Sequence, residues 1–212
     1  HFVAERLARG GVGQAGVRPE PFAAFIDDWA MQGRAAPGDD ALTALHLTAR
    51  GADFAYALDL EAEGPLVLQG DGGFSVKSPE GQASYYYSQP FYRVSGTLDL
   101  PEGPVRVTGR AWLDREWSSQ PLSPDQTGWD WVSLHFDSGE KMMGFRLRSR
   151  DGGAFGSGTW ISPDGMASPF GDGALAMIPL ESVTVAGRRV PVRWRLSLPA
   201  RGLDIELSAL NP

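Results

Sequence analysis

The chain has 212 residues, 26 acidic against 19 basic side chains, a net charge of −7 and a hydrophobic share of 42%. That length can bury a sizeable core, and that share fits neither a disordered chain nor a membrane protein; no apolar run approaches the roughly 20 residues of a spanning helix. The acidic balance, without a basic cluster, argues against nucleic acid or an anionic membrane as partner.

Cysteine is absent, which excludes disulfides, thiolate metal sites and a Cys nucleophile. The three histidines, His1, His46 and His135, have no second imidazole at ligand spacing, so no metal site and no cofactor is expected. The first six residues lack the basic start and apolar stretch of a signal peptide; because such a segment is removed on maturation, they leave the compartment open.

In chain order, residues 3–14 have enough helical character for a turn, but their glycines make a long helix costly. Residues 22–29 read as one strand, and 42–49 with 53–60 as a pair turned at Arg50-Gly51-Ala52. Residues 94–100 and 105–112 form a hairpin across Pro101-Glu102-Gly103-Pro104, and 131–136 with 141–148 another across Asp137-Ser138-Gly139-Glu140. Further strands are expected at 158–161, 175–179, 182–185, 192–198 and 203–207. Strands at this spacing make antiparallel meanders, which close into barrels or sandwiches, and barrels are the expectation here. Residues 118–128 hold two prolines and no periodicity, so the domain boundary is placed there: 1–122 and 123–212.

Several segments carry candidate chemistry. Gln69-Gly70-Asp71-Gly72-Gly73-Phe74-Ser75 reads as a tight loop with positive φ; with no following Lys and helix it is not a phosphate cradle. In Ala83-Ser84-Tyr85-Tyr86-Tyr87-Ser88, alternation puts Tyr85 and Tyr87 on one face and Tyr86 on the other; a phenol in the lumen is a ligand donor or simply a packed ring. In Gly109-Arg110-Ala111-Trp112-Leu113-Asp114-Arg115-Glu116-Trp117, the residues Trp112, Asp114 and Glu116 share a face. Two carboxylates beside a ring suit acid–base work, and an ion pair of Asp114 or Glu116 with Arg110 or Arg115 is the equally common structural alternative. Gly128-Trp129-Asp130-Trp131 opens a strand that also carries Ser133 and His135, but no Gly-x-Ser-x-Gly elbow accompanies them, so a serine hydrolase is not expected.

In this order, with Val94-Ser95-Gly96 between, these motifs resemble the AttH family of lipocalin-like proteins, relatives of the carotenoid 1,2-hydratases, over nearly the whole chain. The resemblance implies an all-β fold of two tandem lipocalin-like (calycin) antiparallel β-barrels with a pocket within or between them. Family members carry strands before and after the matching segment, so the chain is expected to be a central piece with both barrels incomplete, and less soluble alone than the full protein. In the hydratase branch the aspartate matching Asp114 acts as the acid and the aromatic matching Trp112 faces the cation formed when an alkene is protonated. That pattern has histidines on either side of the aspartate, where this chain has Leu113 and Arg115. The AttH branch implies an exported, periplasmic bacterial protein encoded near transporter components, and so association with a membrane transporter.

Three functions follow as expectations. The first is a binding protein for an apolar, isoprenoid- or lipid-like molecule in a cavity lined by Tyr85, Tyr87, Trp112, Trp129 and Trp131. A cofactor-free hydratase, isomerase or cyclase with Asp114 and Glu116 as its carboxyl groups is the second, and a carbohydrate-binding module with exposed tryptophans the third.

Overall fold

A computed structural model describes residues 2–211; His1 and Pro212 lie outside the described residues. Sixteen strands follow in order: β1 (Ala15–Pro19), β2 (Phe22–Ile26), β3 (Trp29–Gly33), β4 (Ala44–Arg50), β5 (Ala55–Ala62), β6 (Val67–Leu68), β7 (Phe74–Val76), β8 (Ala83–Leu100), β9 (Gly103–Trp117), β10 (Gln126–His135), β11 (Lys141–Ser149), β12 (Ala154–Ile161), β13 (Ala167–Phe170), β14 (Ala176–Val185), β15 (Arg188–Leu198) and β16 (Leu203–Ser208). The described residues contain no α-helix, only a 3-10 turn at Pro199–Arg201.

The fold is all-β and antiparallel, as the alternating pattern requires, but the sheets are open rather than closed into barrels. Strands β1 to β5 run as a meander to β8, which also pairs with β6, β7 and β9; β10 to β13 form a second sheet and β14 to β16 a third. Nothing in the strand order pairs a first strand with a last, which is what closure would need. No strand occupies residues 118–125, and no strand before them pairs with one after.

Contacts divide the chain into two compact units, and the division does not follow the sequence in one step: residues up to Pro65 with Gln89–Leu113 form the first, Leu66–Ser88 with Asp114 onward the second. Both long strands, β8 and β9, therefore contribute residues to each unit.

In the first unit, residues 22–29 are two strands rather than one. Ile26 pairs with Trp29 across a two-residue Asp27-Asp28 turn, with Asp27 at φ 52°. An acidic side chain tolerates that conformation, yet Asp-Asp inside an apolar run gives a weaker turn signal than Asn-Gly. No helical turn forms before β1. Instead Arg6 pins that segment, donating to the Asp28 carboxylate and lying 4.7 Å over the Trp29 ring. The core includes Leu45, Leu60 and Tyr92, whose hydroxyl donates to the Leu42 carbonyl. Charges of this unit pair near its surface: Arg34 and His46 on Asp59, and Arg93 on Glu61 and Glu63.

The second unit packs Met142, Trp160, Leu198 and Leu203 against Val132, Phe136, Phe170 and Leu175. Phe136 and Trp160 stack with centroids 5.0 Å apart. Gly158 makes the approach of β11 and β13 possible, since a Cβ there would lie 2.3 Å from the Met143 carbonyl oxygen and 2.4 Å from the Phe170 ring. Gly70, Gly72 and Gly73 all have positive φ, at 65°, 57° and 97°, so the expected tight loop before β7 is present.

Candidate functional site

The candidate site lies wholly within the second unit. Strand β7 pairs Phe74–Val76 with Tyr85–Ala83 of β8, so Lys77, the next residue, sits beside the start of that strand. On β8, Ser84, Tyr86 and Ser88 turn to one side; all three are buried, Tyr86 to 2% exposure. Residues 114–117 of β9 and Trp129, Trp131, Phe145 and Leu147 of β10 and β11 complete the surroundings.

Together they enclose a cavity of about 320 Å³, walled by Trp117, Trp129, Trp131, Phe145, Leu147 and Leu122, with Lys77, Gln82, Ser84, Tyr86 and Glu116 among its polar members. Trp117 and Trp129 are each more than half exposed, so the cavity opens to solvent along these rings.

Its polar side is a connected network. Lys77 Nζ lies 2.7 Å from Glu116 Oε1, and Ser84 Oγ donates to the same oxygen at 2.6 Å. The ammonium also sits 4.0 Å from the Phe145 ring and 5.1 Å from that of Tyr86, a cation–π arrangement. Burial pushes the Lys77 amine below the usual lysine range, while the Glu116 and Asp114 carboxylates pull the other way. Trp131 Nε1 donates to the Tyr86 hydroxyl at 3.2 Å, and that phenol in turn bonds to the Asp114 carboxylate. Burial first, then the nearby Asp114 charge, hold the phenol well above its ordinary value, so Tyr86 stays a neutral donor. Asp114 Oδ1 also accepts from Ser88 Oγ, which accepts 2.8 Å from Gln69 Nε2.

Of the residues singled out from the sequence, the structure brings Glu116, Trp129 and Trp131 to this cavity and places Asp114 directly behind it, bonded to Tyr86. Trp112, half-buried on β9, is not among the lining residues. Tyr85 and Tyr87 alternate away from Tyr86 as read, but the side facing the cavity is that of Tyr86. Tyr85, at 57% exposure, stacks on Trp117 at 5.8 Å, and Tyr87 meets Trp117 edge-on at 6.0 Å. The physical reason is that Tyr85 and Tyr87 gather with Trp117 on a side left half open to solvent, so an aromatic pair is no guide to which side faces inward. Glu116 pairs with Lys77 rather than with the expected Arg110 or Arg115. Lys77, Ser84, Tyr86 and Phe145 were missed; the one signal pointing to Lys77 is that it and Lys141 are the chain's only lysines.

Among solved structures, the fold is similar to that of an AttH protein from Nitrosomonas europaea, with a TM-score of 0.75 and 33% identity over 83% of this chain and 54% of that one. Kievitone hydratase from Nectria haematococca aligns with a TM-score of 0.69 over 87% of this chain and 56% of its own, and at 18% identity the likeness is one of fold. The chain spans about half the length of either protein. A search of curated proteins finds no match. The AttH-like family model matches residues 1–212, and the chain belongs to that family.

Proposed function

We propose that the second unit binds an apolar small molecule in the cavity between Trp117, Trp129, Trp131 and Phe145. The carrying observation is the wall itself: four rings and two leucines around a space of about 320 Å³, with a few convergent polar groups, which is the composition of a small-molecule site. An isoprenoid- or lipid-like ligand suits these walls, because ring faces bury large apolar area without demanding hydrogen bonds.

One observation favours a second reading, cofactor-free hydration or isomerisation. Asp114 sits behind the cavity, joined to it through the Tyr86 hydroxyl, so that a proton taken up by this carboxylate can reach a bound alkene by relay through that hydroxyl. The fold shared with a hydratase agrees with this.

Native mass spectrometry with solvent extraction, on the full-length protein from its own host, tests both. The binding reading expects a co-purifying apolar molecule whose occupancy drops at least about tenfold in Trp131→Ala, the effect of losing an aromatic anchor. Loss of turnover of that molecule in Asp114→Asn, with binding retained, would establish the enzyme. Recovery of no apolar molecule, together with binding of soluble oligosaccharides to the exposed rings, would replace both readings with a carbohydrate module.

A further inference from the structure

Lys77 is the one cation lining the cavity, and its surroundings define what it can take. Its side chain is only 17% exposed, held by the rings of Phe145 and Tyr86 and by Glu116. An ammonium has three N–H donors. Among the described residues, Nζ has a single polar partner, Glu116 Oε1, so donors remain for a ligand on the cavity side.

The charge balance narrows the choice. Two carboxyl groups, Asp114 and Glu116, stand around one ammonium, and no arginine lines the cavity. An anionic ligand would find no surplus positive charge and two groups of its own sign. A ligand hydroxyl would suit Lys77 as well as a carbonyl: the Tyr86 and Ser84 protons already go to Asp114 and Glu116, but Gln82 Oε1, buried on the cavity wall, has no partner among the described residues and can take the hydroxyl's proton.

We propose that the cavity selects a neutral apolar ligand bearing an oxygen acceptor, of which a ketone carbonyl is the simplest case, and that Lys77 Nζ holds this oxygen as hydrogen-bond donor while the tryptophans cover the hydrocarbon part. This rests on the small-molecule reading above and adds the ligand's polar group. Lys77 is then a specificity-determining residue: burial leaves its N–H groups poorly hydrated, so an acceptor lost there is not replaced by bulk water.

Valerophenone and pentylbenzene differ only by a carbonyl in place of a methylene, and both can be titrated against the tryptophan emission of the intact chain. We expect the ketone to bind the wild type. In Lys77→Met its affinity falls about tenfold, the loss of a hydrogen bond to a charged group, while that of pentylbenzene is unchanged. Infrared spectroscopy of the wild-type complex supplies a readout independent of any variant: the carbonyl band shifts to lower frequency than in hexane. Pentylbenzene binding with an unshifted ketone band, equal ketone affinity in Lys77→Met, or tighter binding of phenylvalerate than of valerophenone would each overturn the assignment of a neutral oxygen acceptor to Lys77 and leave the cavity reading standing. Failure of both probes to bind the wild type would overturn the cavity reading, and this inference with it.

Discussion

Both units carry exposed ion pairs, Arg195 with Asp204 among those of the second, but the second also holds one enclosed beside its cavity. In the first, Arg93 reaches Glu63 at 2.8 Å with its side chain 54% exposed, and Arg34 meets Asp59 at 2.9 Å in a similar setting. In the second, Lys77 meets Glu116 at a matching 2.7 Å, but the lysine is mostly buried between two rings and the cavity opens beside it. Exposed pairs are screened by water and add little to stability, whereas an enclosed pair has desolvation set against attraction. Equal distances therefore conceal different roles. The exposed pairs of either unit are surface dressing, and the Lys77–Glu116 pair is a costly placement that marks a site.

The largest expected effect comes from breaking the enclosed pair. Glu116→Ala should destabilise the protein by about 1–2 kcal/mol, less than a fully buried pair because Glu116 is 41% exposed. It should also lower the Lys77 titration midpoint further, since a carboxylate that favours the charged amine is gone. Urea unfolding and NMR of reductively methylated lysines, with Lys141 as internal reference, check both. No stability loss would mean that the enclosed pair behaves like the exposed ones.

Next in size is an alkaline pH dependence carried by Lys77 and Tyr86 of the second unit. The Lys77 amine titrates below its unfolded value of 10.5, so between the two values the unfolded chain holds more protons and stability from this group rises with pH. Tyr86 works the other way: its folded value lies above 10.0, and its contribution, complete below that pH, is lost beyond it. Subtracting the stability of Lys77→Met from that of the wild type isolates the lysine, and the difference should grow in favour of the wild type from neutral pH toward pH 10. A flat difference, measured by urea midpoints, would show that burial does not perturb this amine.

The smallest effect is the control. Arg93→Ala should leave the melting temperature unchanged within error, because the pair it breaks lies in water. A clear drop by calorimetry would remove the contrast between exposed and enclosed pairs.

Much of the second unit's architecture was legible because strand alternation and hairpin turns are local. The pairings of β10 with β11 and of β15 with β16 fall where the apolar periodicity puts them, and Asp114 and Glu116 share a side of β9 as read. The site was legible only in halves. Period two separates Tyr86 from Tyr85 and Tyr87, yet names neither side as inward when Phe74 and Trp117 cover one and Trp131 the other. Lys77 was beyond reach, because its partner is 39 positions away on another strand and nothing near it in sequence announces a buried cation. The Asp27-Asp28 turn was hidden for a different reason, as Asp27 takes a positive φ without the glycine that usually advertises it. Family membership was legible throughout, since it rests on several short motifs in a fixed order rather than on any one of them.

The interleaving of the units along the chain has a consequence for how the protein is made. Residues 66–88 leave the ribosome early, but the partners that complete their unit begin only at Asp114 and continue through β16. At about 5–20 residues per second, β7 and the tyrosine end of β8 wait on the order of ten seconds for them. Over that interval Tyr85, Tyr86 and Tyr87, paired only with the short β6 and β7, are a sticky stretch on the nascent chain, while the first unit can close as soon as Leu113 has emerged. Synthesis thus completes the first unit before the cavity, and any chaperone engaging this chain would find its best foothold in the residues that later surround that cavity.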